Sequence, residues 1–124
     1  MKTSKICEIF SLFANIPTEE AMKYLPIIEV TKKSIENNLK DKSYLDEFSY
    51  ELELLCGVKV FYDYLLTKAT YLKTTDSSVK VGGITEKHST KLTDNIQYAK
   101  ELYTKYSLLF ANLFVDNEFM FGSV

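Results

Sequence analysis

The feature that most constrains the fold is a long apolar series with helical spacing in the middle of the chain. Apolar positions recur there in steps of three and four residues: Leu45, Phe48, Leu52, Leu55, Val58, Tyr62, Leu65, Ala69 and Leu72. This period is that of an α-helix, so we expect one helix from about Tyr44 to Lys73. Ser43 and Asp46 resemble a capping box at its start. Gly57 lies inside it, where it permits either a close helix crossing or a slight bend.

Two shorter helical stretches precede this series. Apolar residues at helical spacing predict a first helix from Thr3 to about Phe13, which Pro17 ends. Thr18 then has the character of an N-cap. Pro26 interrupts the next apolar series, so either one helix is kinked or a short helix ends near Tyr24 and a new one runs from Pro26 to Lys40. We favour the second arrangement, because proline at a first helical position loses no backbone hydrogen bond.

The helical pattern breaks from Thr74 to Leu92. Three β-branched residues flank a glycine pair in this stretch, which predicts a small hairpin or extended flap; they are Val79, Val81 and Ile84, around Gly82 and Gly83. Thr93 is expected to cap a last amphipathic helix, which ends at Asp116-Asn117. The sequence therefore predicts one domain over residues 1–124. Its fold class is all-α, a helical bundle of about four helices with a short β-hairpin or flap inserted before the last.

The final nine residues, 116–124, are unusual for the end of a chain. They contain three consecutive large apolar residues next to two acids: Phe119, Met120 and Phe121, with Asp116 and Glu118. A solvated terminus is usually small and polar, whereas an apolar one folds onto its own core or docks into another chain. Both alternatives remain open here, and the second makes these five residues a candidate interface for assembly.

The charged residues argue against sequence-specific recognition of nucleic acid. The formal net charge is −2, and all fifteen basic residues are lysine. Bidentate recognition of phosphate or guanine favours arginine, so its absence argues against sequence-specific DNA binding and phosphoryl transfer. An AT-rich genome would give the same bias. Lysines do cluster around the flap (Lys73, Lys80, Lys87 and Lys91), where they form either a solvated loop or a surface for non-specific phosphate contact.

The chain offers little equipment for catalysis. His88 is the only histidine and is expected in a polar loop. Asp63, within an aromatic run, suggests a general acid, but its spacing from Lys59 favours an ordinary ion pair. Glu47, Glu51 and Glu53 lack the Glu-x-x-His pair of di-metal bundles. We therefore expect no enzyme, no catalytic residue, no metal, no cofactor and no small-molecule substrate.

Cysteine usage and hydropathy predict a protein of the cytoplasm. Cys7 and Cys56 match no metal-binding spacing, so we expect two reduced, buried thiols. The first sixteen residues carry Glu8 within an apolar stretch and lack the pattern of a secretory signal. The longest nearly apolar run, Leu108 to Val115, is too short to cross a bilayer, so no membrane association is expected.

The layout and several local strings resemble head–tail connector proteins, the neck adaptors of long-tailed bacteriophages and prophages. A short helix ends in Tyr24-Leu25 before Pro26 and an Ile-Ile-Glu helix, as in the opening of that family. Three further strings are similar to the family's aromatic stretch, its Val-Gly-Asp-Val flap and its acidic–aromatic ending: residues 60–66 (VFYDYLL), 79–85 (VKVGGIT) and 116–121 (DNEFMF). Gly83 stands where the family often has aspartate, which puts any role of that acid in doubt.

The resemblance implies a structural adaptor that forms a ring between the portal and the tail-completion protein, with DNA passing through it. Such a protein would be found in the host cytoplasm during assembly and later in the virion neck. The C-terminal residues Asp116, Glu118, Phe119, Met120 and Phe121 would contact the neighbouring copy or the portal. The flap residues Lys80, Val81, Gly82, Gly83 and Lys87 would face the channel and contact DNA non-specifically. A second interpretation is a small helical regulatory or partner-binding module, in which the aromatic face accepts a partner helix.

Overall fold

The computed structural model describes the backbone of residues 1–76 and 84–115, with side chains for residues 1–70 and 91–115. Six α-helices make up most of this part: α1 (Thr3–Ala14), α2 (Thr18–Ala21), α3 (Leu25–Asn37), α4 (Tyr44–Glu47), α5 (Ser49–Asp76) and α6 (Ile84–Leu109). Short 3₁₀ turns at Met22–Tyr24 and Ala111–Leu113 complete it. The all-α prediction is thus confirmed for the described residues, which contain no named strand.

The ends of the first helices follow local chemistry, with one correction. α1 ends at Ala14, and the next residue, Asn15, adopts a left-handed conformation with φ of 55° that asparagine tolerates better than most residues. The prediction that Thr18 is an N-cap is wrong: Thr18 is already helical, and Pro17 precedes α2 with extended backbone angles. Proline's fixed φ suits that position. Pro26 lies in the first turn of α3, so the predicted second start is confirmed.

The long central helix begins later than predicted. The backbone turns out of helical geometry at Phe48, which divides the predicted helix into α4 and α5. The expected capping box is also absent, because Ser43 has helical angles and its side chain makes no capping bond. Instead its backbone N–H donates to Asp41 Oδ1 at 2.9 Å. This hydrogen bond lowers the pKa of Asp41, since it stabilises the carboxylate.

α5 is the centre of the molecule and contacts α1, α3, α4 and α6. Its buried apolar side chains share one core with those of α1, α3 and α6. α1 runs in the same direction as α5, because Lys2 meets Glu53 near one end of α1 and Phe13 stacks on Phe61 near the other. Gly57 lies where these helices cross, so the predicted close crossing is confirmed.

An aromatic cluster fastens the α1–α3 side of this core. Phe10, Tyr24 and Tyr64 meet edge to face, with ring centroids 5.1 to 5.7 Å apart. Such edge-to-face pairs add about 0.5–1.5 kcal/mol each beyond the apolar area they bury. The high aromatic content of the chain therefore contributes directly to the core, and the cluster ties the turn after α2 to α5.

The break between the last two helices is narrower than predicted. α5 continues to Asp76 and α6 begins at Ile84, so residues 84–92 are helical where a flap was expected. The last helix therefore starts nine residues before Thr93, and it ends at Leu109 rather than at Asp116. An established helix extends through polar residues at little cost, because nucleation is the unfavourable step. The hairpin itself falls on residues 77–83, outside the described part, and stays a prediction.

Candidate functional site

Most residues of the predicted interface and channel surface lie outside the described part of the chain. These are Asp116, Glu118, Phe119, Met120 and Phe121 of the C-terminal segment, and Lys80, Val81, Gly82 and Gly83 of the flap. The backbone of Lys87 belongs to α6, and so does that of His88, for which a loop was expected. The structure therefore informs the site through the residues that hold these two segments in place.

The base of the C-terminal segment is attached to the body by a short antiparallel clip. Leu39, just after α3, forms an isolated β-bridge with Phe114. The Lys40 backbone N–H donates to the Leu113 carbonyl at 2.9 Å, and the Val115 N–H donates to the Asn38 carbonyl at 2.8 Å. The Phe114 side chain is fully buried, so apolar packing reinforces the two hydrogen bonds. The clip fixes the position of Val115, the residue before the predicted adhesive segment.

Exposed apolar side chains lie on either side of this clip. Leu108 and Leu109, in the last turn of α6, are 62% and 64% exposed, and Val115 is 69% exposed. Lys105 lies three and four residues before the two leucines, which places its side chain beside theirs on the helix surface. We call these four residues the tail-base surface. A single exposed leucine is ordinary, but three large exposed apolar side chains within eight residues, 108–115, indicate a contact surface.

A brace between α5 and α6 holds the two long helices together. The Lys59 ammonium pairs with Asp63 at 2.9 Å, which confirms the ion-pair interpretation of that aspartate. The same ammonium lies 5.6 Å from the ring centroid of Tyr62 and 5.2 Å from that of Tyr103. The two rings stack on each other across the helix pair. Because Lys59 is mostly buried there, its cation–π contacts are stronger than at an open surface.

Beyond this brace α5 and α6 continue as a two-helix arm. Thr67, Lys68 and Thr70 on α5 are exposed, as are Lys91, Thr93 and Asp94 on α6. The inward positions Leu66, Leu92 and Ile96 are half-buried against the core. Lys68 lies over the Tyr64 ring at 5.0 Å, and a hydrogen bond to Tyr64 raises the pKa of this lysine. Of the lysine-rich stretch, the side chains of Lys68 and Lys91 are thus exposed on this arm.

A concave feature lies at the start of α1 and α5. A cavity of about 280 Å³ is bordered by residues from α1, α4 and α5: Met1, Lys2, Lys5, Leu45, Asp46, Ser49, Tyr50 and Glu53. Glu53 is buried, and its Oε2 accepts a hydrogen bond from the backbone N–H of Lys2 at 2.7 Å. A carboxyl group at the N-terminal end of a helix is favoured by the helix dipole, so this contact docks α1 onto α5.

The remaining side chains that could be reactive, the two cysteine thiols, lie in the core. Cys7 and Cys56 are free and buried, as expected. Burial raises the pKa of both thiols, that of Cys56 to about 12, so neither is a reactive thiolate near neutral pH. Among residues with described side chains, no three histidine, cysteine or acidic residues cluster as metal ligands. No helix in the described ranges is long and apolar enough to span a bilayer.

Comparison with known proteins identifies no relative. No family model matches this sequence, no curated protein matches it, and no solved structure matches its fold.

Sequence reasoning missed three elements of the site: the clip, the exposed leucines and the burial of Glu53. A signal for the leucines was present, because Leu108 and Leu109 fall outside the three-and-four series of the last helix, which runs through Ile96, Ala99, Tyr103, Tyr106, Phe110 and Leu113. The clip joins positions 75 residues apart (114 − 39), and nothing local encodes such a pairing. Glu53 is one of three glutamates close together in the sequence, and only tertiary contact distinguishes it.

Proposed function

We propose that this chain is a structural adaptor of a phage or prophage particle. In this role copies form a ring that joins the portal to the tail and leaves a passage for DNA. The observation that carries the proposal is the clip between Leu39 and Phe114, since it fixes the start of the apolar C-terminal segment at the surface of a helical body. An adhesive segment rooted in a rigid body is what a head-to-tail ring contact requires.

The two-helix arm supports the second part of this function, contact with passing DNA. Five lysines and a histidine lie between residues 68 and 91, against the acids Asp76 and Glu86. A lysine surface without arginine gives weak, salt-sensitive contacts with phosphate, because ammonium groups act as point charges and do not form the bidentate hydrogen bonds of a guanidinium group. Weak contact suits a channel in which DNA must slide. The adaptor would act in the host cytoplasm during assembly and remain in the virion neck.

Removal of residues 119–124 tests the adhesive role. We expect the truncated chain to keep its helical circular dichroism and melting temperature, because the clip and the described core end before residue 116. We expect it to fail to assemble with the portal protein of the same phage or prophage, measured by native mass spectrometry and negative-stain microscopy. The matched control, Leu12→Ser, removes an exposed leucine of α1 and should assemble normally.

Two results would argue against the proposal in different ways. If the truncated chain unfolds, the segment belongs to the core and is not adhesive. If it folds and assembles like the full chain, the segment has no role in the ring. A full-length chain that is monomeric on its own contradicts neither statement, since adaptors of this kind can require a portal as template. Assembly only with a helical partner unrelated to virions would favour the regulatory-module interpretation.

Charge reversal tests the channel role. Lys80→Glu together with Lys87→Glu should leave the melting temperature unchanged and reduce the yield of infectious particles. The control, Lys33→Glu, reverses an exposed charge on α3, away from the arm. If particles that contain the double variant in the normal amount are as infectious as the parent, Lys80 and Lys87 do not contact the passing DNA and the channel role is wrong.

A further inference from the structure

We propose that the tail-base surface of one copy receives the C-terminal segment of a second copy. The contact would join Lys105, Leu108, Leu109 and Val115 on one chain to residues 116–121 of its neighbour. This inference rests on the proposed ring, and it names the surface that the adhesive segment occupies. A head-to-tail ring needs two different patches that fit each other, and this chain carries both within seventeen residues, 105–121.

The first argument is chemical complementarity. The tail-base surface offers two exposed leucines and an exposed valine beside a lysine. Residues 116–121 offer Phe119, Met120 and Phe121 with two acids, Asp116 and Glu118. Lys105 forms no ion pair with any carboxylate of the described residues, and its ammonium lies over the Tyr106 ring at 5.8 Å. Its charge is therefore available to an acid that arrives with the apolar segment.

The second argument concerns where the described chain ends. The clip holds Val115 at the surface, and nine residues follow it. An extended chain covers at most ~3.3–3.6 Å per residue, so this segment has a reach of roughly 30 Å. That reach suffices to cross from one compact body to the next. Each copy would give its segment to one neighbour and receive the segment of another, which is the one-way contact that a ring requires.

The third argument is the shape of α6. This helix packs on α5 through Ala99, Tyr103 and Ser107, all of them buried. Leu108 and Leu109 directly follow that buried row and face away from it. They are therefore not needed to hold the helix in place. The buried face of α6 is held by α5, so the apolar residues on its exposed face are already in position before a partner binds. Such preorganisation lowers the entropic cost of binding.

A spin-label experiment on the full chain tests this contact even when it is weak. Two proteins are mixed. One carries ¹³C-labelled leucine and valine methyl groups and no nitroxide; the other has no ¹³C enrichment and carries a nitroxide on Ser123→Cys. Cys7 and Cys56 are buried, so the reagent modifies the new thiol. We expect selective broadening of the Leu108, Leu109 and Val115 methyl signals in the mixture. Leu108→Ser with Leu109→Ser should abolish the broadening at Val115, whereas Leu12→Ser, at a leucine that is 79% exposed, should not.

Each result bears on the proposal. Burial of two leucines contributes enough that the double variant should associate at least roughly tenfold more weakly. If the mixture shows no broadening of these methyl signals, the segment of one chain does not occupy this surface on another chain, and the proposal is wrong. In that case a loss of portal assembly on truncation would still support the adaptor function, with the portal as receptor of the segment.

Discussion

Replacement of Gly57 by alanine tests whether the crossing of α1 and α5 sets the packing of the whole body. A Cβ built at Gly57 would lie 2.5 Å from Ile9 Cγ2 and 2.9 Å from Ile9 Cβ. Carbon atoms in good contact are ~3.5–4.0 Å apart, so the overlap is about 1 Å. Ile9 Cβ is fixed to the backbone, and a change of side-chain rotamer cannot move it. α1 must therefore shift away from α5.

The magnitude follows from two opposing effects. Alanine favours a helix interior over glycine by ~1 kcal/mol. Overpacking of a well-packed contact costs ~1–3 kcal/mol, because a shift of even ~0.5–1 Å weakens neighbouring contacts by a quarter to a half. The buried side chains Ile6, Cys7 and Phe10 of α1 would lose such contacts. We expect a net loss of about 1 kcal/mol in the free energy of unfolding, and a melting temperature lower by ~3–5 °C.

Urea denaturation followed by circular dichroism measures this effect. Thr67→Ala is the control, because Thr67 is exposed on the same helix and the change reports helix propensity without the crossing. That variant should gain a few tenths of a kcal/mol. Ile9→Ala combined with Gly57→Ala should cost less than the sum of the single changes, since it removes the methyl group that clashes. A Gly57→Ala variant that is ~1 kcal/mol more stable than the parent would refute the crowded crossing.

Three further predictions concern buried polar groups. Ser107 is fully buried and its hydroxyl has no hydrogen-bond partner among the described residues, so Ser107→Ala should raise the free energy of unfolding by ~1 kcal/mol; a loss in urea denaturation would contradict this. Glu53→Ala leaves the Lys2 N–H without its acceptor and should cost ~1–2 kcal/mol, whereas Glu51→Ala on the same helix should be nearly neutral in the same assay. The pKa of Cys56 is raised to about 12 in the folded chain, so the unfolded state ionises first and stability should fall as the pH rises from 9 towards 12. The fall should be steeper, by up to ~1.4 kcal/mol per pH unit, in the parent than in Cys56→Ala, and equal slopes would exclude the thiol as its cause.

Local pattern accounts for the errors as well as the successes of the sequence-based predictions. The three-and-four spacing located α1, α3 and most of α5, because it records which helix face is buried. It failed between Thr74 and Leu92, where glycine and β-branched residues suggested a strand, yet the backbone is helical up to Asp76 and from Ile84 onward. Residue type alone predicts that Ser43 and Thr18 are N-caps. Both predictions are wrong, because both residues have helical backbone angles.

The candidate site shows the same division more sharply. Sequence alone determined that the end of the chain is apolar and acidic, that the arm region is rich in lysine, and that the chain folds as helices. Only the tertiary structure decided that Leu39 pairs with Phe114 and that Leu108 and Leu109 remain exposed. It also decided which of the three neighbouring glutamates is buried, namely Glu53. The physical reason is range: helix periodicity is set by residues three and four apart, whereas these contacts depend on which helices meet.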